Sequence, residues 1–169
     1  MWQPDAADVL ALARVGGLTL GSAESLTGGA VSVAMTTPPG ASDVWRGAVV
    51  SYHAEVKQSV LGVPQSVLDS VGPVSADTAL AMAHGARSLL GVDVAVATTG
   101  VAGPDPHGGH AVGTVIIAVV GPGLARCAEH ALIGDRRAIV DQAVDAALRA
   151  LFESLGGHDP QPPGNGEQL

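Results

Sequence analysis

The sequence predicts a single-domain α/β protein, a three-layer sandwich in which a mixed β-sheet carries helices on both faces. Helical and strand-like segments alternate as far as Thr98, a pattern typical of parallel strands with crossover helices. Two further strand-like segments are joined by Gly121-Pro122-Gly123, which predicts an antiparallel hairpin near the C-terminus. At 169 residues, 47% of them hydrophobic but only 2% aromatic, the chain has room for one core built from Ala, Val and Leu.

Caps and breakers set the predicted elements. Ser75 and Gly91 are a good N-cap and C-terminal stop for the helix between them, and Pro38-Pro39-Gly40 ends an earlier helix. The predicted helices cover residues 4–16, 30–35, 55–61, 65–70 and 76–90, and a last one follows 134–136 and ends near residue 155. The predicted strands cover residues 18–22, 45–52, 92–98, 112–120 and 125–133. The domain is expected to span 1–156, and the Gly- and Pro-rich 157–169 has the composition of a disordered tail.

Composition excludes several classes of function. The single cysteine, Cys127, excludes an internal disulfide and a cysteine-rich metal cluster, and we expect it to be a small core residue. No secretory signal pattern and no apolar run of about 20 residues is present. The net charge is −8 without a basic stripe. We therefore expect a cytoplasmic protein without a membrane or nucleic-acid partner.

One cation stands apart from the rest. Seven of the eight basic residues are arginines, and Lys57 is the only lysine; Tyr52 is the only tyrosine. Arginine does not lose its proton in proteins, whereas a desolvated lysine does. Lys57 is therefore a candidate for proton-transfer chemistry, and the alternative is a chance surface lysine.

Three polar loops follow predicted strands, at residues 25–29, 52–57 and 99–110. Ligands of such sheets bind beyond the carboxyl ends of the strands. Ser25 is either a nucleophile or, like Thr27, a helix cap; as a nucleophile it needs a base, which Lys57 could supply with Tyr52 relaying or orienting. His107 and His110, with Asp105 nearby, suggest a metal site, but no third ligand has motif spacing. We predict a mobile cover over the pocket instead.

Six motifs occur in order: "AESLTGG", "RGAVVSYHAEVK", "GPVS", "TTGVAGP", "VGTV" and "GDR". Over residues 4–155 the chain resembles the CinA C-terminal domain family, the nicotinamide-nucleotide amidohydrolases, in the stand-alone form without the N-terminal molybdopterin-binding-like domain. The resemblance implies that Ser25 is the nucleophile and that Tyr52 and Lys57 accompany it. The implied reaction converts nicotinamide mononucleotide to nicotinate mononucleotide and ammonia, with no metal or cofactor. It also implies a homo-oligomer.

A hypothesis of acyl transfer at Ser25 suggests which residues bind this nucleotide. Glu24 either orients a ribose hydroxyl or buttresses the turn, and Arg136 either binds the phosphate or forms an ion pair at a helix start. Backbone N–H groups of Thr27, Gly28 and Gly29 are expected to hold the oxyanion. The residues expected to line the nucleotide pocket are Thr99, Gly100, Gly103 and Pro104.

Two departures from the family pattern leave alternatives open. Ala54 stands where the family usually has Asn, and "DPHGGHA" replaces a loop that usually contains a Glu-Lys pair. One alternative is an amidase with a different substrate. The other is a catalytically inactive nucleotide-binding or interaction module.

Overall fold

The computed structural model describes residues 2–159 of the chain. This part contains six α-helices and five strands, with a short 3-10 helix at Ala41–Asp43. The helices are α1 (Ala6–Gly16), α2 (Ala30–Thr36), α3 (Ala54–Leu61), α4 (Gln65–Val71), α5 (Ala76–Leu90) and α6 (Arg136–Ser154). The strands are β1 (Leu20–Glu24), β2 (Trp45–Val50), β3 (Val94–Gly100), β4 (Thr114–Gly121) and β5 (Leu124–Ala131).

The five strands form one mixed sheet in the order β2-β1-β3-β4-β5. β1 pairs in parallel with both β2 and β3, whereas β4 is antiparallel to β3 and to β5. The predicted mixed sheet with a C-terminal antiparallel hairpin is therefore confirmed. Glu24 pairs with both Val50 and Thr98, so the chain leaves β1, β2 and β3 at the same edge of the sheet.

Helices cover both faces of the sheet. On one face α1, α2 and α6 bury the larger side chains of β1, β3 and β4. On the other face α5 packs against β1, β3 and β4 through small residues, and α3 and α4 pack beside it. A Cβ on Gly85 of α5 would lie 2.0 Å from the Leu61 carbonyl oxygen, so α3 and α5 approach closely only because glycine stands there.

Most helix ends lie where caps and breakers predicted them, whereas several strand ends differ by two residues. β1, β3 and β4 begin two residues later than expected, and β2 and β5 end two residues earlier. Thr19 donates to the Asp93 carboxylate through both its backbone N–H and its hydroxyl, at 2.8 and 2.7 Å. A side-chain bridge therefore joins these segments before the ladder starts, and the bridge lowers the pKa of Asp93. β1 and β3 run correspondingly further towards the site.

Two other predictions concern the surface of the protein: the burial of Cys127 and the C-terminal tail. Cys127 is exposed on the edge strand β5, so its prediction as a core residue is wrong. Of the predicted tail, residues 157–159 contact α6: the Gly157 amide donates to the Phe152 carbonyl, and Asp159 accepts from Arg149. The rest of the predicted tail lies outside the described residues. No helix among residues 2–159 has the length and apolarity that crossing a bilayer requires.

Candidate active site

A cleft of about 500 Å³ opens at the edge of the sheet where β1, β2 and β3 end. All three polar loops singled out in the sequence contribute to its lining. Ser25 follows β1, and Tyr52 and Lys57 follow β2. Thr99 and Gly100 are the last two residues of β3, and the lining continues from there to His107. Arg136, the first residue of α6, closes the remaining side.

Ser25 and Lys57 meet at the inner end of this cleft. The Lys57 Nζ donates to Ser25 Oγ at 2.9 Å and to the Ser51 carbonyl oxygen at 2.6 Å. Lys57 is only 1% exposed, so it is not a surface lysine. It lies in the first turn of α3. The Ser51 amide donates to the carbonyl of Glu24, the last residue of β1, and this bond holds in place the Ser51 carbonyl that Lys57 contacts.

Burial tunes the amine of Lys57. Because the surrounding protein removes water from the ammonium, the pKa of Lys57 falls from 10.5 to about 8. A lysine with this pKa is mostly charged at pH 7, but it is neutral in about one molecule in ten and loses its proton readily. The hydrogen-bonded serine and this amine therefore have the geometry of a nucleophile and its general base, with the neutral amine within reach at neutral pH.

Glu24 is placed behind the nucleophile rather than in the cleft. It is fully buried, and its carboxylate accepts five hydrogen bonds: from the hydroxyls of Ser22 and Thr27 and from three backbone amides. Those amides belong to Gly29, Val31 and Ser32 at the start of α2. The carboxylate thus caps α2, where a negative charge is favoured. Of the two roles predicted for Glu24, the structure supports the buttress and not the ribose contact.

We expect Glu24→Ala to unfold far more easily than the wild type. The substitution leaves three amides and the Ser22 hydroxyl without their acceptor in a buried site, while the Thr27 hydroxyl keeps its bond to Thr98, and the loss is about 3 kcal/mol or more. Urea denaturation measures this difference. Glu55→Ala is the matched control because the Glu55 side chain is 88% exposed. Equal stability of the two variants would rule out the buttressing role.

The turn of Thr27, Gly28 and Gly29 does not line the cleft, which corrects the predicted oxyanion site. The Gly28 amide donates to the Ser25 carbonyl and the Gly29 amide to Glu24, so neither is free to bind a ligand. Both glycines have positive φ, 59° and 104°, and this is the conformation that requires glycine. The Thr27 hydroxyl bonds to Glu24 and to the Thr98 hydroxyl. Neither Ser25 nor Thr27 caps α2.

Tyr52 and Arg136 form the outer rim of the cleft. Arg136 donates to the Tyr52 hydroxyl at 2.8 Å and to the Gly103 carbonyl at 2.7 Å. Tyr52 is 61% exposed and, among the described residues, has no hydrogen bond to Ser25 or Lys57. The predicted proton relay through Tyr52 is therefore not formed in this structure. Arg136 has no carboxylate partner within residues 2–159, so the predicted helix-start ion pair is absent there.

The third loop supplies the wall of the cleft. Thr99, Gly100 and Gly103 line it as predicted, together with Pro104 and His107. The Thr99 hydroxyl donates to the Pro73 carbonyl at 2.7 Å and so ties this wall to the segment before α5. A Cβ on Gly100 would lie 2.5 Å from the Thr114 carbonyl oxygen, so the glycine permits the close approach of β4. His107 and His110 exchange two backbone hydrogen bonds and form a small closed turn.

Sequence reasoning missed one group at the site, the Ser51 carbonyl that holds Lys57. A backbone acceptor has no signature in sequence, and only the β1–β2 register shows where it lies. The sequence reasoning also did not identify Glu24 as the residue that caps α2. The signal was present: an acid five residues before Gly29, the N-cap of α2, which makes no side-chain cap of its own.

The fold and the cleft define an α/β protein with a buried serine–lysine pair at the carboxyl edge of its parallel strands. The model of the CinA C-terminal domain family matches residues 3–155, and the chain belongs to this family. It is 47% identical over 139 residues to a CinA-like protein of Frankia casuarinae, covering 82% of this chain and 32% of that protein. A putative competence-damage inducible protein of Bacillus velezensis is 41% identical over 142 residues, covering 84% and 34%.

Solved structures agree with this assignment. The competence damage-inducible protein A (ComA) of Klebsiella pneumoniae superposes with a TM-score of 0.87 at 32% identity, covering 89% of this chain and 94% of that one. The competence/damage inducible protein CihA of Agrobacterium tumefaciens gives 0.80 at 34% identity, covering 92% and 99%. The chain spans about a third of the length of the curated relatives that it matches.

Proposed function

We propose that this protein hydrolyses the carboxamide of nicotinamide mononucleotide, releasing nicotinate mononucleotide and ammonia, through a covalent ester on Ser25. The observation that carries the proposal is the 2.9 Å contact between Ser25 Oγ and the buried Lys57 Nζ, inside a cleft large enough for a nucleotide. A merely structural lysine would not need to be buried against a serine hydroxyl in an open cleft.

In the first half of the reaction, the lone pair of neutral Lys57 takes the Ser25 proton as Ser25 Oγ attacks the carboxamide carbon. The resulting oxyanion needs a hydrogen-bond donor. The backbone N–H of Leu26 is the candidate, because Leu26 directly follows the nucleophile and lines the cleft. The Lys57 ammonium then protonates the departing nitrogen, the C–N bond breaks, and ammonia leaves the acyl ester on Ser25.

In the second half, Lys57 is neutral again and takes a proton from water as the water oxygen attacks the ester carbonyl. The C–O bond to Ser25 breaks and the serine recovers its proton from Lys57. In each half-reaction Lys57 acts first as a base and then as an acid, so the amine must change protonation state readily near neutral pH. A pKa of about 8 for Lys57 suits this requirement.

The opposite end of the cleft suits the phosphate of the substrate. The Arg136 guanidinium faces the cleft and bonds only to the Tyr52 hydroxyl and the Gly103 carbonyl among the described residues. A guanidinium binds phosphate through two parallel N–H···O hydrogen bonds. The exposed ring of Tyr52, whose hydroxyl bonds to this cation, offers a surface in the same cleft for the ribose or the pyridine.

The test is ammonia release from nicotinamide mononucleotide and from the corresponding riboside, which lacks the phosphate. We expect Arg136→Ala to raise the KM for the mononucleotide by at least about tenfold, the worth of one charge-assisted contact, and to leave the riboside unaffected. Arg137→Ala is the matched control, since Arg137 is the next residue of α6 and pairs with Asp141 outside the cleft. No ammonia from either compound, at any protein concentration, would overturn the proposal.

A second candidate is an amidase for a different amide. Ala54 lines the cleft next to Lys57, and His107 lies on the wall where the loop departs from the family pattern. The two differences change the shape and polarity of the cleft without touching the Ser25–Lys57 contact. A panel of pyridine and nucleotide amides, assayed on the wild type and on Ala54→Asn, separates the candidates. A faster reaction with another amide, and a gain of mononucleotide activity in Ala54→Asn, would favour the second.

A further inference from the structure

The Ser51 hydroxyl is a buried polar group without a partner. Ser51 is 0% exposed, its amide donates to the Glu24 carbonyl, and its carbonyl accepts from Lys57. Its Oγ, however, makes no hydrogen bond within residues 2–159. An unpaired hydroxyl in the interior is unfavourable, and native proteins rarely keep one without a reason.

A charged Lys57 has one N–H more than the two that its partners accept. A protonated amine has three N–H donors, and two of them have acceptors here, Ser25 Oγ and the Ser51 carbonyl. The Ser51 hydroxyl is four covalent bonds from that carbonyl oxygen, and hence within about 5 Å of it. Rotation about χ1 moves a serine hydroxyl between staggered positions at little cost.

We propose that Ser51 is a positioning residue: its hydroxyl turns to accept the third proton of the Lys57 ammonium each time the amine is charged. The catalytic part of this proposal rests on the proposed role of Lys57 as the base; the contact itself does not. The neutral amine has only two N–H donors, so it needs no third acceptor, and the Ser51 hydroxyl is then free to stay unpaired as it is in this structure.

Other charged groups do not supply this acceptor. Within the described residues the Nζ bonds only to Ser25 and Ser51, and burial alone accounts for the lowered pKa of Lys57. The Glu24 carboxylate is engaged with α2 and with two hydroxyls. The remaining titratable or charged groups of the cleft and of α3 are Tyr52, His53, Glu55, Asp105, His107 and Arg136.

The proposal fixes the sign of the effect in Ser51→Ala. Loss of an acceptor for the ammonium disfavours the charged form, so the pKa of Lys57 falls further. The neutral fraction at pH 7 then rises, but the amine is a weaker base. These two changes offset each other near pH 7. Above pH 9, where the amine is neutral in both proteins, only the weaker base remains, and kcat falls several-fold.

The chain allows a direct test because Lys57 is its only lysine. Protein labelled with ¹³C at the lysine ε-carbon gives one resonance, whose titration is followed from pH 5 to 11. We expect the midpoint in Ser51→Ala to lie about one pH unit below that of the wild type, the size of one hydrogen bond to a charged group. Ser51→Thr keeps the hydroxyl and should keep the midpoint. Ser66→Ala, at an exposed serine of α4, is the matched control.

An unchanged midpoint in Ser51→Ala overturns the proposal, including the case in which the variant is merely less stable. Should Ser51→Ala not fold, Ser51→Cys takes its place, because a thiol is a weak acceptor of similar shape and the same downward movement is expected. The titration needs no turnover. A midpoint that moves in a protein without amidase activity would therefore refute the proposed function and keep the Ser51 contact. An unmoved midpoint in an active enzyme would do the reverse.

Discussion

Ser25→Ala is expected to lower kcat for amide hydrolysis by at least about a thousandfold while the protein stays folded and still binds the nucleotide. The hydroxyl oxygen, Oγ, is the only heavy atom lost, and it is the atom that the Lys57 Nζ contacts at 2.9 Å. Removing it leaves the Lys57 amine with its Ser51 carbonyl acceptor, so the stability should change little. Ammonia release and a thermal melt, measured on the same preparation, check both parts.

Ser66→Ala controls for the loss of a serine hydroxyl as such, because Ser66 is exposed on α4 and does not line the cleft. It should behave as the wild type. Residual activity in Ser25→Ala above a few per cent would mean that water, and not Ser25, attacks the amide. The cleft would then activate water through Lys57 directly, and no acyl ester would form.

Lys57→Met is expected to lower kcat by about a hundredfold to ten-thousandfold, the usual contribution of a general base. Methionine fills most of the buried volume and carries no proton acceptor. The buried amine is replaced by an apolar group, so the variant should be at least as stable as the wild type at pH 7. Steady-state kinetics with nicotinamide mononucleotide and urea denaturation measure the two effects.

Lys57→Arg is the informative partner of this variant. It keeps the positive charge but cannot lose its proton, so it should be as inactive as Lys57→Met. It should also be the less stable of the two, since a permanent charge is then held in a site that is 1% exposed. Substantial activity in Lys57→Arg would exclude a neutral amine as the base and leave Lys57 an electrostatic role alone.

The parts of the fold that follow from local signals were predictable. The helix α5 has the predicted bounds because Ser75 and Gly91 mark its two ends, and the Ser75 hydroxyl does accept from the Thr78 amide. The hairpin of β4 and β5 follows from its Gly-Pro-Gly connection. Strand starts were less predictable, because the side-chain bridge from Thr19 to Asp93 spans 74 residues. No local pattern records such a pair.

The same distinction applies to the site. Ser25 and Lys57 could be singled out from one unusual lysine and from a strand-to-helix junction with surplus polar groups. The direction of the Tyr52 side chain could not, because its partner Arg136 lies 84 residues further along the chain. The predicted use of Thr27 to Gly29 as an anion site also depended on what else lay nearby. Glu24 already occupies the start of α2, and sequence spacing alone does not show which of the two the helix takes.

The most direct test of this account compares two curves: the pH dependence of kcat/KM for nicotinamide mononucleotide and the titration of the single lysine in the free wild-type protein. If neutral Lys57 is the base, the rate rises about tenfold per pH unit below pH 8 and levels above it. The midpoint of the kcat/KM curve then coincides with the midpoint of the Lys57 titration, near pH 8. A lysine that titrates near 10.5, or a rate curve whose midpoint lies well away from that titration, would contradict the claim that Lys57 deprotonates Ser25.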